Sequence, residues 1–433
     1  MENKEVITVQ MDKEFYESVV LNAESGGGGS APSKPKYTGH ADAEGLRAIG
    51  WTDEDIAYYQ ENGVNWNEED DEYHKVTDDN KALYGVLTAS NIKTYKNRIV
   101  YLPKIDTSEV TYMYGMFDGC TSLISIPQLD TSNVTYMERM FFDCDSLTTI
   151  PQLDTSNVTS MYNMFNGCRS LISIPQLDTS NVTYMSSMFN NCSSLSSIPQ
   201  LDTSKATDMG SIFYGCTSLT AIPQLDTIKV TNMYSMFNGC RSLTSIPQLD
   251  TSNVTSMEAM FHSCSSLSSI PQLDTSNVTS TKNLFYGCSS LSSIPQLDTS
   301  KATDMGSIFY GCYSLTSIPQ LDTSKVTNMN GMFNYCYSLT SIPMLDTSKV
   351  TNMNSMFNYC NSLTYLNLKN AKLAYSLSNA TLLSKESILY LINNEAAESA
   401  ITIKLATYAY DKWATDADVV AALANHPNIS LAK

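Results

Sequence analysis

LDTSNVTSMYNMFNGCRSLISIPQ, residues Leu153 to Gln176, is the stretch whose reading decides the fold. Its apolar residues Val158, Met161, Met164, Phe165, Cys168, Leu171 and Ile174 recur mostly at every third position, and the pattern returns 24 residues earlier and later. All eleven cysteines, Cys120, Cys144, Cys168, Cys192, Cys216, Cys240, Cys264, Cys288, Cys312, Cys336 and Cys360, keep that spacing without insertion or deletion. A fixed period of about 20–50 residues marks stacked supersecondary units, each exposing an apolar stripe that only its neighbours can bury.

Aligned on this period, the units follow D-T-S-x-V-T-x-M-x-x-M-F-x-x-C-x-S-L-x-x-I-P-x-L. Pro175 disfavours helix in the residue before it, so the PQLDTS stretch around Leu177 predicts a short strand. Strands of successive coils then pair in parallel about 4.8 Å apart. Ser156 or Thr155 is positioned to cap a short helix carrying Val158, Met161, Met164 and Phe165 on one face. Crossovers of this kind wind right-handed. The expected class is therefore α/β: a right-handed solenoid of eleven 24-residue coils with a parallel β-sheet on one face. Like side chains stack on like, and the cysteines form a buried ladder of small hydrophobic groups.

Working outward, residues 1–24 predict a strand and helix with Val6, Val9, Phe15 and Val19 as a candidate anchor, followed by a Gly/Ser/Pro linker over 25–37. Residues 38–91 read as a small acidic helical module, with helices from Ala43 to Ile49 and Thr52 to Asn62. Residues 92–363 form the repeat region, opened by a half-repeat that caps the first coil. After Leu363 the period stops. The remainder, 364–433, predicts an α/β cap with helices from Ser384 to Asn394 and Thr415 to Asn425 and strands from Ala400 to Leu405 and Ile429 to Leu431.

The formal net charge is −18, and half of it lies in the first hundred residues, which hold 19 acidic and 10 basic side chains. No Lys/Arg cluster is present, which argues against nucleic acid as a partner. No apolar run approaches the roughly 18 residues of a membrane span, and the N-terminal residues lack the basic-then-apolar pattern of a secretory signal. The 24-residue cysteine spacing lacks CxxC or paired histidine, so neither a metal centre nor a cofactor is expected. The Asp that opens each unit, from Asp106 to Asp346, reads as a turn cap rather than a calcium ligand. Asn-Val-Thr at Asn133, Asn157, Asn181, Asn253 and Asn277 matches the glycosylation acceptor pattern and reads as a by-product of the repeat. No catalytic motif of recognisable spacing occurs.

Binding residues are sought where the copies differ. Tyr112, Tyr114, Tyr136, Tyr162, Tyr184 and Tyr234 flank the first Met of their units; Tyr286, Tyr310, Tyr313, Tyr335, Tyr337 and Tyr359 flank the cysteine. Exposed tyrosine gives contact area at low entropic cost, so these positions are candidates for ligand contact. The fifteen residues Asp202 to Cys216 recur unchanged as Asp298 to Cys312.

The DTSxVTxMxxMFxxCxSL unit resembles the BspA-like leucine-rich repeat family over about Val100 to Leu366. The resemblance implies a right-handed leucine-rich-repeat solenoid and a role in surface adhesion or host-component binding, with bacterial members carrying an export signal and an anchor. The repeats together with the preceding segment GHADAEGLRAIGWTDEDIAYYQENGVNWNEEDDEY, Gly39 to Tyr73, also look like those of virion proteins from phages of gut Bacteroidetes. The function expected on this basis is non-enzymatic: a phage appendage, head or tail fibre-like, held to other virion proteins through its N-terminal region and displaying the repeats to a host-surface glycan or protein. A trimer is the favoured oligomer. The alternative is an adhesin on a bacterial or protist surface.

Overall fold

A computed structural model describes residues 64–67, 72–75, 107–373, 375–393 and 401–433. The candidate anchor (Val6, Val9, Phe15, Val19), the two expected helices of the acidic module and the half-repeat before the first coil lie outside these residues. Within the module, β1 (Val64–Asn67) and β2 (Glu72–Lys75) pair antiparallel, an element not foreseen in a segment read as helical. The repeats divide between two compact units, the first reaching Val182 and including Met188–Leu201, the second comprising Thr183–Ser187 and Asp202–Lys433.

Within each unit, the apolar positions build columns. Val, the two Met, Phe, Cys and Leu are buried in nearly every coil, and the eleven phenylalanines from Phe117 to Phe357 are the largest fully buried side chains. In the first unit, Phe117, Phe141, Phe165 and Phe189 stack in near-parallel fashion with centroids 5.4, 5.4 and 5.7 Å apart. Phe213 to Phe357 do the same in the second, at 5.7 to 6.1 Å. All eleven cysteines are reduced and buried. They are more than fillers: the Cys144 thiol donates to the Phe117 carbonyl of the preceding coil at 3.1 Å, and Cys168 to Phe141 at 3.0 Å. That carbonyl already accepts the N–H of Cys120 at 3.0 Å, so its second lone pair is taken by the neighbour's sulfur.

The expected helix in each coil is absent; among the described residues, helices occur only after residue 384. Two residues per coil carry positive φ instead. The fifth residue before each cysteine has φ between 52° and 62°, and the residue just before it between 53° and 83°, in all eleven coils. In ten of the coils both are the third residue of a turn closed by an i+3 to i hydrogen bond, the position where a type II turn demands positive φ. The N–H groups consequently alternate. Those of Met116, Asp118 and Cys120 close local turns at 3.2, 3.1 and 3.0 Å, while those of Met113, Gly115, Phe117 and Gly119 donate to Tyr136, Glu138, Met140 and Phe142 of the next coil at 3.0, 2.9, 2.9 and 2.7 Å. At Gly167, φ 83°, the Asp143 carboxylate occupies the space a β-carbon would need.

The parallel pairing also sits elsewhere than expected. Bridges join Tyr112, Tyr136 and Ser160 in the first unit and Tyr184, Asp208, Asn232 and Ser256 in the second, at the position before the first Met. The I-P-Q-L stretch pairs as a strand only at β3 (Ser341–Asp346), which runs parallel to β4 (Tyr365–Lys369). Proline has no N–H to give a ladder. The glutamine after it substitutes, its side-chain amide reaching the next coil's backbone: Gln128 to Gln152 O at 2.6 Å and Gln248 to Gln272 O at 2.7 Å.

Beyond the repeats, β5 (Tyr375–Leu377), β6 (Ile401–Leu405) and β7 (Ile429–Ala432) form a parallel sheet. They are connected by α1 (Lys385–Asn393), α2 (Thr407–Trp413) and α3 (Ala417–Asn425). α2 was not anticipated. The apolar side of α1, Ile388, Leu391 and Ile392, is buried, and its Ser387 hydroxyl accepts the N–H of Leu366 in β4 at 3.0 Å.

Two measurements check this account. In a helix, Ala→Gly costs about 1 kcal/mol. Ala259 stands at φ 56°, where a β-carbon costs roughly 1–2 kcal/mol, more than the added flexibility of glycine. Ala259→Gly is therefore expected to raise denaturation stability by up to about 1 kcal/mol, and a loss of that size would mean a helix. Burial pushes the thiols of Cys240, Cys288 and Cys360 up to about 12. A thiol with a raised folded pKa holds its proton more tightly than in the unfolded chain. The associated stability is complete below the ordinary value of 9.0 and drains as pH climbs toward about 12. The native protein at pH 8 is expected to resist thiol alkylation until denatured, and its melting temperature to fall steeply above pH 9.

Candidate functional site

The turns that bury Phe and Cys leave their other residues outside. The exposed tyrosines fall in three columns: the bridge position before the first Met, the residue after it, and the residues flanking the cysteine. In the first unit, the sequence candidates Tyr112, Tyr136 and Tyr162 are 58, 44 and 42% exposed. Tyr112 lies 5.9 Å from Tyr114 and 5.7 Å from Tyr136. Tyr184 and Tyr234, also exposed, stand in the second unit on other coils.

The bridge column elsewhere is polar. Asp208 Oδ1 accepts the N–H of Gly210 at 2.8 Å and the side-chain amide of Asn232, on the next coil, at 3.0 Å. The duplicated stretch reproduces this at Asp304, which binds Gly306 N at 2.8 Å and Asn328 at 2.9 Å. A β-carbon on Gly210 or Gly306 would fall 2.9 or 2.8 Å from that asparagine amide.

The structure gathers Tyr310, Tyr313, Tyr335, Tyr337 and Tyr359 together in the second unit. Rings of His262, Tyr286, Tyr310, Tyr335 and Tyr359 follow one another over five successive coils, with centroids 4.5, 4.4, 5.5 and 4.5 Å apart. Three of those contacts are parallel within 7°, and Tyr310–Tyr335 is edge-on at 63°. Tyr313 and Tyr337 lie alongside, 5.2 Å from each other, with Tyr337 edge-on to Tyr335 at 76°. Tyr313, Tyr337 and Tyr359 are exposed; the remaining rings are half-buried. Burial, and then the neighbouring phenol of Tyr286, push Tyr310 above the ordinary tyrosine range. Burial holds His262 below the ordinary histidine range, so at neutral pH a neutral imidazole ends the row.

His262 is the member that sequence reasoning missed, because one histidine among four scattered ones carries no signal. Its place does: like Tyr286 and Tyr310, it stands two residues before its cysteine. Tyr335 and Tyr359 stand one residue before theirs and have φ of 62° and 59°. A bulky side chain there costs roughly 1–2 kcal/mol, and six of the eleven coils avoid that cost with glycine.

The acidic column behaves differently. Asp154 Oδ1 accepts from Ser156 N at 3.0 Å and Ser156 Oγ at 2.7 Å, and these bonds hold its carboxyl below the usual range. Asp250 and Ser252 repeat the arrangement. The Asn-Val-Thr asparagines are structural as well: the amides of Asn133, Asn157 and Asn253 donate to the preceding coil at 2.9, 2.9 and 2.8 Å. No group of three or more His, Cys, Asp or Glu suited to a metal ion occurs among the described residues, and no helix among them is long and apolar enough to cross a membrane.

No curated protein matches the chain. Among solved structures, it is similar to a leucine-rich repeat protein from Bacteroides ovatus at 19% identity and TM-score 0.32, over 78% of this chain and 88% of that one. A leucine-rich repeat protein from Eubacterium ventriosum matches at 15% identity and TM-score 0.35, over 64% and 87%. The leucine-rich repeat protein of T. pallidum matches at 18% identity and TM-score 0.23, over 50% and 72%. One family profile, described as "Mycoplasma protein of unknown function, DUF285", matches four overlapping stretches, residues 88–197, 137–221, 207–318 and 289–381. Those matches span well over half of the sequence, and the chain belongs to the DUF285 family.

Proposed function

We propose that this chain is a non-enzymatic binding protein whose coils, eleven in number and wound right-handed, display their variable outward positions to a surface ligand. The observation that carries the reading is a division of labour within each coil. Val, Met, Phe, Cys and Leu columns are buried and nearly invariant from copy to copy, whereas the exposed columns change and collect tyrosine. A scaffold built this way can alter its outer residues without disturbing its core, because each coil contacts only its neighbours. The aspartates that open the coils, such as Asp154 and Asp250, are engaged in turn-forming hydrogen bonds.

Within this reading the chain is a component of a phage particle, joined to other virion proteins through its N-terminal region, with Val6, Val9, Phe15 and Val19 as contact residues, and assembled as a trimer. Its ligand is a glycan or protein of the host surface. Support comes from the Gly39 to Tyr73 segment preceding repeats of this kind, which resembles virion proteins of phages of gut Bacteroidetes. A bacterial surface adhesin is the second reading, favoured by the family description, which names a Mycoplasma protein.

Immunogold electron microscopy with antibody to the repeats separates the two. Gold on released phage particles is the expected result. Gold confined to the envelope of uninfected cells would replace the virion reading with the adhesin.

A further inference from the structure

We propose that the aromatic row of the second unit is a binding site for a neutral glycan, with Tyr313 and Tyr337 as its stacking platform; this rests on the binding-protein reading above and names its ligand class and place. Three independent observations lead there.

The first is ring geometry. Tyr286 is sandwiched between His262 and Tyr310, and Tyr335 and Tyr359 each give one face to the other. Tyr313 and Tyr337, 47 and 37% exposed, are tilted 38° to each other and are not consumed by parallel stacking. An aromatic face is the negative part of its quadrupole, and the weakly positive axial C–H groups of a pyranose ring lie well against it. One ring per coil, 5.2 Å apart, offers successive contacts to a linear chain of sugars. The phenol hydroxyls supply hydrogen bonds beside the platform.

The second is backbone strain. Tyr335 and Tyr359 occupy left-handed positions where glycine serves in six other coils. Tyrosine there is disfavoured by local conformation; the mutual stacking of the two rings offsets part of that cost, and their presence in two consecutive coils holds the row beside Tyr337.

The third is charge. Although the chain carries −18 overall, no Asp, Glu, Lys or Arg occurs in 283–297, 305–321, 329–345 or 353–368, the stretches bearing the tyrosines. The corresponding loops of the first unit hold Asp118, Arg139, Asp143, Asp145 and Arg169. These stretches offer no counter-charge to a charged ligand, whereas an uncharged polyhydroxylated one meets their rings, hydroxyls and amides.

The test is affinity electrophoresis of the full chain through gels containing a soluble mixed-linkage β-glucan, a galactomannan or dextran, with polygalacturonate as the charged probe. At least one neutral polysaccharide is expected to retard the protein, and polygalacturonate none. Tyr313→Ser with Tyr337→Ser is expected to weaken retention by roughly tenfold or more, and Tyr313→Phe with Tyr337→Phe to keep most of it. Tyr335→Asn with Tyr359→Asn, the residue present at Asn191, is expected to weaken binding several-fold at nearly unchanged melting temperature. A drop of many degrees without loss of retention would assign those tyrosines to stability. Retention by the charged probe alone, by no probe, or undiminished in the Ser double variant overturns the proposal. Undiminished binding to host cells whose surface sugars have been oxidised with periodate overturns it while leaving the binding-protein reading standing.

Discussion

The alternation of backbone N–H groups is the constraint on which the rest depends. From Met113 to Cys120, and in the same way within the coils of each unit, every second N–H closes a turn within the coil and the others reach the next one. Only a chain that flips its peptide planes at fixed intervals can do this, which is why two left-handed positions recur in all eleven copies. Burial of Phe and Cys follows: turns this tight leave no room for water, so every buried carbonyl must find a partner inside. The thiol column completes that accounting by bonding the phenylalanine carbonyls.

Much of this was legible in the sequence and some was not, for identifiable reasons. The 24-residue spacing and the identity of the core columns follow from the apolar positions, since a residue that recurs unchanged in every copy has one environment. The helix expected over Val158 to Phe165 does not exist because spacing of three and four is shared by a helix and by consecutive turns that bury alternate side chains. The distinguishing signal was present but quieter: Ser, Asn or Gly at most of the fifth positions before cysteine, and Gly, Asn or Asp at most of the positions just before it. Strand pairing was expected at PQLDTS because proline excludes helix; the same proline has no N–H to give a ladder, so Gln128 and its counterparts make the connection with side chains, and β3, which contains Pro343, pairs only across a register shift between Ile342 and Leu345.

For the candidate site, the tyrosines stood out as variable positions, but their convergence did not. Tyr310 and Tyr335 occupy different places in their units, and only the left-handed backbone at Tyr335 brings the rings together. His262 belongs to the row solely through its register. Columns thus have to be read across coils in space before a surface of this kind becomes visible.

The paired Asp208–Asn232 and Asp304–Asn328 contacts carry a consequence for how such a gene can lengthen. Each aspartate has a partner on the following coil, and the glycine two residues on leaves the room that partner's amide occupies. The duplicated fifteen residues therefore did not travel to an arbitrary address: in both places the coil that follows supplies the asparagine. The heritable module is the junction between two coils, and recombination that inserted the aspartate-bearing copy ahead of a coil with tyrosine at that place would break a joint although every coil remained individually intact.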